Sequence, residues 1–328
     1  MINVVAYIKN TEQEHQISDM LEKIKTEIDF NGQIIDISDS EDLIKKYADI
    51  SPYVKVGPYT ISGEIFESNL RMTILAAKDR ERQLTEVGDD QYQQRIEAGK
   101  KITNLDKVSL WLSKSYIWLM IFFLSLYVGL PFLAPYLLKT GAQLPANIIY
   151  TIYKPLCHQL AFRSWFIFGE QPYYPRSAAG IEGVITYEEI SNQPVINIRE
   201  AQKFKGNDFT GYKVALCQRD VAIYASMLFF GLLFVLSGRK IKSIKWYVWV
   251  LIAIVPIGFD GFSQLPGLMS SLPDWLPVRE SNPTLRTLTG SLFGFFTAWY
   301  LFPLIEESMA ETRTIITEKI KYIKSLGQ

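Results

Sequence analysis

Residues 116–138 (YIWLMIFFLSLYVGLPFLAPYLL) run without a single charge. At ~1.5 Å per residue such a segment spans a ~30 Å hydrocarbon core with some tilt. Three more apolar runs follow: 221–238, expected to extend upstream through Val214; Trp246 to about Met269, interrupted by Asp260; and 287–305. Together they predict a membrane domain of four spanning helices. None has the form of a cleaved leader, because the chain opens with a mixed segment and the first apolar run begins past residue 110.

Composition reinforces the division. Lys plus Arg and Asp plus Glu are 34 each over the 328 residues, so the chain is formally neutral. That balance argues against nucleic acid as a partner, which favours a basic excess. Residues 1–100 carry 19 acidic and 12 basic side chains, whereas 101–328 carry 15 and 22. A simple soluble enzyme and a disordered chain are both excluded, and two cysteines are too few for a disulfide scaffold.

Orientation follows from Lys and Arg near the span ends. The link 239–245 holds four basic residues in seven; Lys100, Lys101, Lys107 and Lys114 precede the first span, and Lys319, Lys321 and Lys324 follow the last. With four crossings these segments share one side, which the positive-inside rule makes the cytoplasm. The expected location is a prokaryotic plasma membrane with both termini cytoplasmic, and with 140–213 and 270–285 facing outward. Trp246, Trp249, Trp275 and Trp299 are expected near the interfaces.

The first hundred residues read differently. Residues 3–8 and 32–37 have strand character; 12–28 place Ile17, Met20, Leu21, Ile24 and Ile28 on one helical stripe; 39–48 form a short helix capped by Asp39 or Ser40. YVKV and TISG flank a Gly57-Pro58 turn, and Phe66 to about Ala77 returns to helix. The order βαβαββα over residues 1–80 resembles the glutaredoxin-type thioredoxin fold, in which a cis-proline precedes the third strand, the position of Pro52. The resemblance places that family's Cys-x-x-Cys near Glu12 and His15, where no cysteine stands. Thiol–disulfide exchange needs a thiolate, so the reading is a degenerate module for binding or support. His15 itself reads as a solvated surface residue.

The expected organisation is therefore an α/β thioredoxin-like soluble domain (1–80), a charged linker (81–110) broken near Val87-Gly88-Asp89-Asp90, an all-α four-helix transmembrane domain (111–308) with an outer loop 140–213, and a tail (309–328). The tail spaces Met309, Ile315, Ile316, Ile320 and Ile323 amphipathically, to lie on the inner leaflet or to pack on the soluble domain. Short strands are expected at 183–187 and 195–198.

Ionisable groups near membrane depth are costly unless paired, so each is a functional candidate. Four clusters qualify: Cys157-His158-Gln159 with Arg163; Cys217-Gln218-Arg219-Asp220 with Tyr224; Asp260-Gly261 with Gln264; and Glu280-Ser281-Asn282 with Arg286, Thr289 and Gly290. Cys217 stands about 31 Å of helix above Gly238, and Asp260 about 21 Å beyond Trp246, so all four converge on one outward-facing end. Helical spacing groups Cys217, Asp220 and Tyr224, then Asp260 and Gln264, then Arg286, Thr289 and Gly290, then Gln159 and Arg163. Gly290 and Gly294 permit a close helix approach.

These motifs, Cys-His-Gln with Arg163-Ser164, Cys-x-Arg with Ile223-Tyr224, Asp260-Gly-x-x-Gln264 and Glu-Ser-Asn through Arg-x-x-Thr-Gly290, resemble an uncharacterised family of prokaryotic integral membrane proteins over roughly 115–305, with 174–212 as an insertion. The family carries no established activity, so the resemblance implies the grouping alone. The site residues are Cys157, His158, Arg163, Cys217, Arg219, Asp260, Gln264 and Arg286.

Several chemistries stay open at this stage. Cys157, His158, Cys217 and Asp260 could ligate zinc or copper. Cys157 and Cys217 could form a disulfide, structural or redox-active, in an oxidising compartment. Arg163, Arg219 and Arg286 could hold a phosphate or carboxylate, including a lipid headgroup. Or the charges lock helix packing in an accessory subunit of a larger membrane complex. Pro256 and Gly258-Asp260-Gly261 could break the third helix, as in transporters. Nucleotide-binding and hydrolase motifs are absent.

Overall fold

The structure is a computed structural model that describes residues 2–38, 40–87, 101–193, 195–264 and 279–325. It divides into two compact units, Met1–Ser115 with Glu307–Gln328, and Tyr116–Glu306. Asp39 as a cap, the Gly88-Asp89-Asp90 break, Trp275, the end of the third apolar run and most of the 270–285 loop lie outside the described residues.

The first unit runs β1 (Asn3–Ile8), α1 (Thr11–Lys25), β2 (Asn31–Asp36), α2 (Glu41–Tyr47), β3 (Tyr53–Val56), β4 (Tyr59–Ser62) and α3 (Glu67–Val87). The expected βαβαββα order is present. β1 pairs parallel with β2 and antiparallel with β3, and β4 forms the edge, giving the order β2-β1-β3-β4. Ser51-Pro52 is cis. α3 continues ten residues past the expected Ala77.

β1 is buried on both faces, which explains its unbroken apolar sequence. Val4 and Ala6 join a core with Ile17, Leu21 and Ile24 of α1 and Leu70, Ile74 and Ala77 of α3. Val5 and Tyr7 face Ile37, Leu43 and Tyr47, with Tyr322 of the C-terminal tail against them. Glu318 accepts hydrogen bonds from Tyr47 (2.7 Å), Lys46 (2.8 Å) and Tyr7 (3.4 Å). Burial first, and Glu318 second, holds both phenols well above their ordinary pKa. The C-terminal stretch thus packs on the N-terminal unit through Glu318 and Tyr322. His15 is exposed at the start of α1.

The long helices are α4 (Asn104–Lys139), α8 (Gln218–Leu236), α9 (Trp246–Phe262) and α10 (Pro283–Ser325). Among the described residues, three (α4, α8 and α10) are long and apolar enough to cross a membrane, and α9 is a shorter apolar helix. α9 is not broken at Pro256. Instead Val250–Ile254 forms a π-helical turn immediately before the proline-bearing segment Val255–Phe262. A proline ring clashes with the carbonyl four residues back, here Ile252, and a widened turn at that point relieves the clash.

Close packing of α8 on α10 rests on glycine. A Cβ at Gly290 would lie 2.7 Å from the Arg219 carbonyl oxygen, and one at Gly294 would lie 2.0 Å from that of Ile223. Trp249 donates to Thr297 (3.0 Å) and Trp299 to the Lys242 carbonyl (3.0 Å), so α9 and the basic link are tied to the same stretch of α10.

The segment between α4 and α8 holds α5 (Gln143–Tyr153), β5 (Ser164–Ile167), α6 (Tyr187–Ser191), α7 (Ile198–Lys203), β6 (Gly206–Asn207) and β7 (Gly211–Cys217). Three expectations are corrected here. Residues 214–217 do not extend α8: Val214, Ala215 and Leu216 belong to the strand β7, paired antiparallel with β5 and β6. An apolar run this short fits a buried strand as well as a helix, and here it lies opposite β5 between the Phe166–Lys213 and Ser164–Cys217 pairs. The strands expected at 183–187 and 195–198 are instead irregular stretches leading into α6 and α7, each helix begun by a side-chain cap, Thr186 and Asn197. Gln159 and Arg163 do not share a helix, because Gln159 is left-handed (φ 51°) and 161–163 is a single 3-10 turn. Phe162, Phe166, Tyr174, Tyr187 and Ala201 give this segment its own core.

Substituting Gly294 by Ala should lower the thermal midpoint in detergent, by a loss of about 1–3 kcal/mol expected for overpacking. The same change at Gly258, where a Cβ meets nothing within 4 Å, should be nearly neutral; equal melting of both variants would contradict the glycine-dependent contact.

Candidate functional site

Two buried carboxylates organise the end of the helices where β7 joins α8. Glu280, with a side chain 1% exposed, receives Arg163 through Nε (2.9 Å) and Nη2 (3.0 Å), Arg286 through Nη2, and Arg176 at 3.6 Å. These arginines come from the 3-10 turn before β5, from the first turn of α10 and from the loop before α6. Arg286 also donates to the Phe162 carbonyl (3.3 Å) and to Gln264 Oε1 (3.2 Å).

The second carboxylate, Asp260 of α9, is 2% exposed at its side chain and pairs with Arg219 of α8 and, at 3.4 Å, with Arg279. Ser281 donates to it at 3.1 Å, and Gln264 Nε2 donates to its backbone carbonyl. Gln264 thereby bridges the two centres, bonding α9 on one side and Arg286 on the other. Five guanidinium groups thus surround two carboxylates. Bidentate and shared contacts of this kind satisfy charge that would otherwise cost several kcal/mol to bury. The Nε atoms of Arg176 and Arg219 are nevertheless buried without a hydrogen-bond partner.

A third cluster lies at the β7–α8 junction. Cys157, in the turn after α5, accepts from the backbone N–H of Cys217 (3.3 Å) and of Gln159 (3.5 Å). Cys217 is the N-cap of α8 and its sulfur accepts from Asp220 N (3.5 Å). Ligand atoms of Cys157, Cys217 and Asp220 all lie within 4.8 Å of one another. The two cysteines are free thiols. The hydrogen bond with Cys157, then burial, pushes the Cys217 thiol well above its usual range. Gln159 holds the turn by donating to Tyr150 (2.9 Å) and Ala215 (3.1 Å) carbonyls.

Lys213 is the unexpected member. Its side chain is fully buried on β7 and donates to the carbonyls of Gln159 (2.6 Å) and Gln202 (2.9 Å). Burial pulls its amine down to about 7, with the neighbouring Cys157 opposing the shift.

The structure brings Arg163, Arg219, Asp260, Gln264 and Arg286 into one network and Cys157 and Cys217 into one pair, but it redistributes the ligand set expected from sequence. His158 is exposed, and Asp260 is occupied by arginines, so neither joins the two sulfurs; Asp220 takes the third place. The reason is local. His158 follows Cys157 in a turn that aims alternate side chains apart, whereas Asp220 stands one helical turn past the Cys217 cap. Sequence reasoning passed over Arg176, Arg279 and Lys213. Arg279 adjoins Glu280, which was a usable signal; Arg176 lies in the apparent insertion, and a lysine heading an apolar strand looks like its solvated end.

Residues 206–300 match the family described as "Predicted membrane protein (DUF2085)". The chain is also 28% identical over 205 residues to an uncharacterized protein of Methanocaldococcus jannaschii, covering 60% of this chain and 96% of that relative. No solved structure matches it. The 206–300 stretch therefore carries a predicted membrane protein domain, and it contains Cys217, Arg219, Asp260, Glu280 and Arg286.

Two measurements check this geometry. Exposed lysine titrates near ~10.4, so between about 7 and that value the unfolded chain binds a proton at position 213 that the folded chain does not. Stability should rise with pH across that window, and Lys213→Met should flatten the rise in thermal midpoint between pH 7 and 9. In double-mutant cycles to Ala, Arg286 with Glu280 and Arg219 with Asp260 should each couple by at least about 1 kcal/mol; additive losses would mean that the pairs do not interact.

Proposed function

We propose that this chain is a multi-pass protein of the prokaryotic plasma membrane that binds an anion, phosphate- or carboxylate-bearing, in an arginine recess on its outer side. Four crossings, with α9 as the third, put both termini in the cytoplasm. Support for the orientation is the basic content of the segment before α4, the 239–245 link and the tail. The N-terminal unit then reads as a thioredoxin-like module, supported by its strand order and its proline before β3, and suited to docking within a larger membrane complex because it has no thiol.

The observation that carries the anion reading is the charge count. Arg163, Arg176, Arg219, Arg279 and Arg286 face Asp260 and Glu280, an excess of three positive charges relieved in part by Glu188 beside Arg176 (3.9 Å). A network built only to lock helices needs no such surplus, and like-charged guanidiniums held together repel unless an anion sits among them. Arg279 is 43% exposed, which leaves the recess open on one side. Below it, an apolar groove of about 550 Å³ between α8 and α10, lined by Trp165, Ala222, Phe229, Leu288 and Phe295, is placed to take the chain of a lipid whose headgroup the arginines hold.

Purified protein in neutral detergent should gain thermal stability with inorganic phosphate, and Arg279→Gln should weaken that response at least tenfold. An anionic phospholipid should act at much lower concentration than phosphate if the groove takes part, and equally if it does not. No stabilisation by either ligand refutes the site. For topology, an impermeant maleimide on intact cells should label Ser177→Cys above the unsubstituted chain and leave Lys240→Cys unlabelled.

A further inference from the structure

We propose that Cys157, Cys217 and Asp220 form a binding site for one thiophilic divalent metal ion of the zinc class. The site is separate from the arginine recess and stands whether or not that recess binds an anion. Its donors come from two distant stretches of chain that converge at one point, with their ligand atoms mutually within 4.8 Å. Zn²⁺ takes thiolate sulfur at ~2.3 Å and carboxylate oxygen at ~2.0–2.2 Å, so closing on an ion requires only a small contraction of this triangle.

Binding an ion requires both thiols to give up their protons, and the surroundings then suit coordinated sulfur. Both sulfurs already accept backbone N–H groups, two at Cys157 and one at Cys217, and donors of this kind stabilise coordinated sulfur and fix its direction. Cys217 and Asp220 sit in the first turn of α8, a 19-residue helix whose N-terminal dipole favours anionic groups. The backbone is held on both sides: Ser164 of β5 pairs with Cys217, and the Gln159 side chain ties the Cys157 turn to α5 and β7. A site fixed in this way loses little conformational freedom on binding.

Charge and donor type select the ion. Two thiolates and a carboxylate carry three negative charges, of which a divalent ion offsets two. Soft sulfur with a hard oxygen suits borderline Zn²⁺ better than Mg²⁺ or Ca²⁺, which prefer oxygen alone. Three protein ligands leave a fourth position for water or a small ligand, the pattern of zinc sites that act on something rather than merely brace a fold. The phenols of Tyr127 and Tyr224, tilted against each other with ring centroids 4.4 Å apart, lie on the Asp220 and Cys157 side of the cluster.

The test is titration of the full-length protein, purified in detergent under mild reductant, with Co²⁺ as a spectroscopic stand-in. One equivalent per chain should produce thiolate-to-cobalt charge-transfer absorption and the visible bands of tetrahedral cobalt, and Zn²⁺ should displace both. Asp220→Asn should keep the sulfur band but weaken binding at least tenfold, Cys217→Ser should abolish the band, and His158→Ala should leave the titration unchanged. A folded unsubstituted protein that shows no charge-transfer band refutes the proposal. So does a band that survives Cys217→Ser, or an ion lost on His158→Ala. A Cys157–Cys217 crosslink in metal-free protein isolated without reductant would likewise overturn it, in favour of a disulfide.

Discussion

Glu280 cannot be buried alone. A carboxylate with its side chain 1% exposed must find compensation, and here it comes from three guanidiniums that reach it from three parts of the chain. Removing one partner of such a cluster leaves an uncompensated charge, typically at a cost of ~3–5 kcal/mol. The 3-10 turn carrying Arg163, the loop carrying Arg176 and the head of α10 are therefore fixed to one another through a single acid. Asp260 does the same for α8 and α9, and Gln264 joins the two centres. The position of the polar segment between α4 and α8 follows from these bonds more than from its own small sheet.

Beneath the charges, packing depends on backbone proximity. Gly290 and Gly294 let α10 approach the carbonyls of Arg219 and Ile223, which sets α8 and α10 close enough for Arg219 and Arg286 to belong to one network. In an apolar surrounding there is little hydrophobic gain from helix association, so close contact of this type carries more of the burden than it does in water. The groove left between the same helices lies next to these contacts rather than opposing them.

Much of this arrangement was legible in the sequence, for identifiable reasons. Long uncharged runs have few alternatives to helices of membrane length, so α4, α8 and α10 could be placed directly. The stripe Ile17, Leu21, Ile24 and the apolar strand 3–8 were enough to order the N-terminal unit. Isolated Arg, Asp and Glu beside apolar runs marked the network. What failed was the short-range reading. Val214-Ala215-Leu216 was assigned to the helix that follows it because a brief apolar run has no period of its own, and only its place opposite β5 makes it a strand. The four donors expected together do not all meet, for a related cause: adjacency in sequence favoured His158, whereas a turn before a strand separates neighbours and a helix cap gathers residues three apart. Lys213 was invisible because nothing in the sequence says that the amine of a strand-leading lysine ends among backbone carbonyls.

The widened turn at Val250–Ile254 has an effect beyond accommodating Pro256. One additional residue in a turn rotates everything after it by about 100° around the helix axis. Asp260 lies after that insertion, and its carboxylate meets Arg219. With regular winding throughout, the same side chain would turn roughly a quarter of a revolution away from the direction in which it now meets Arg219, Arg279 and Ser281. The helical phase of a single turn thus sets the direction from which α9 meets the arginine network.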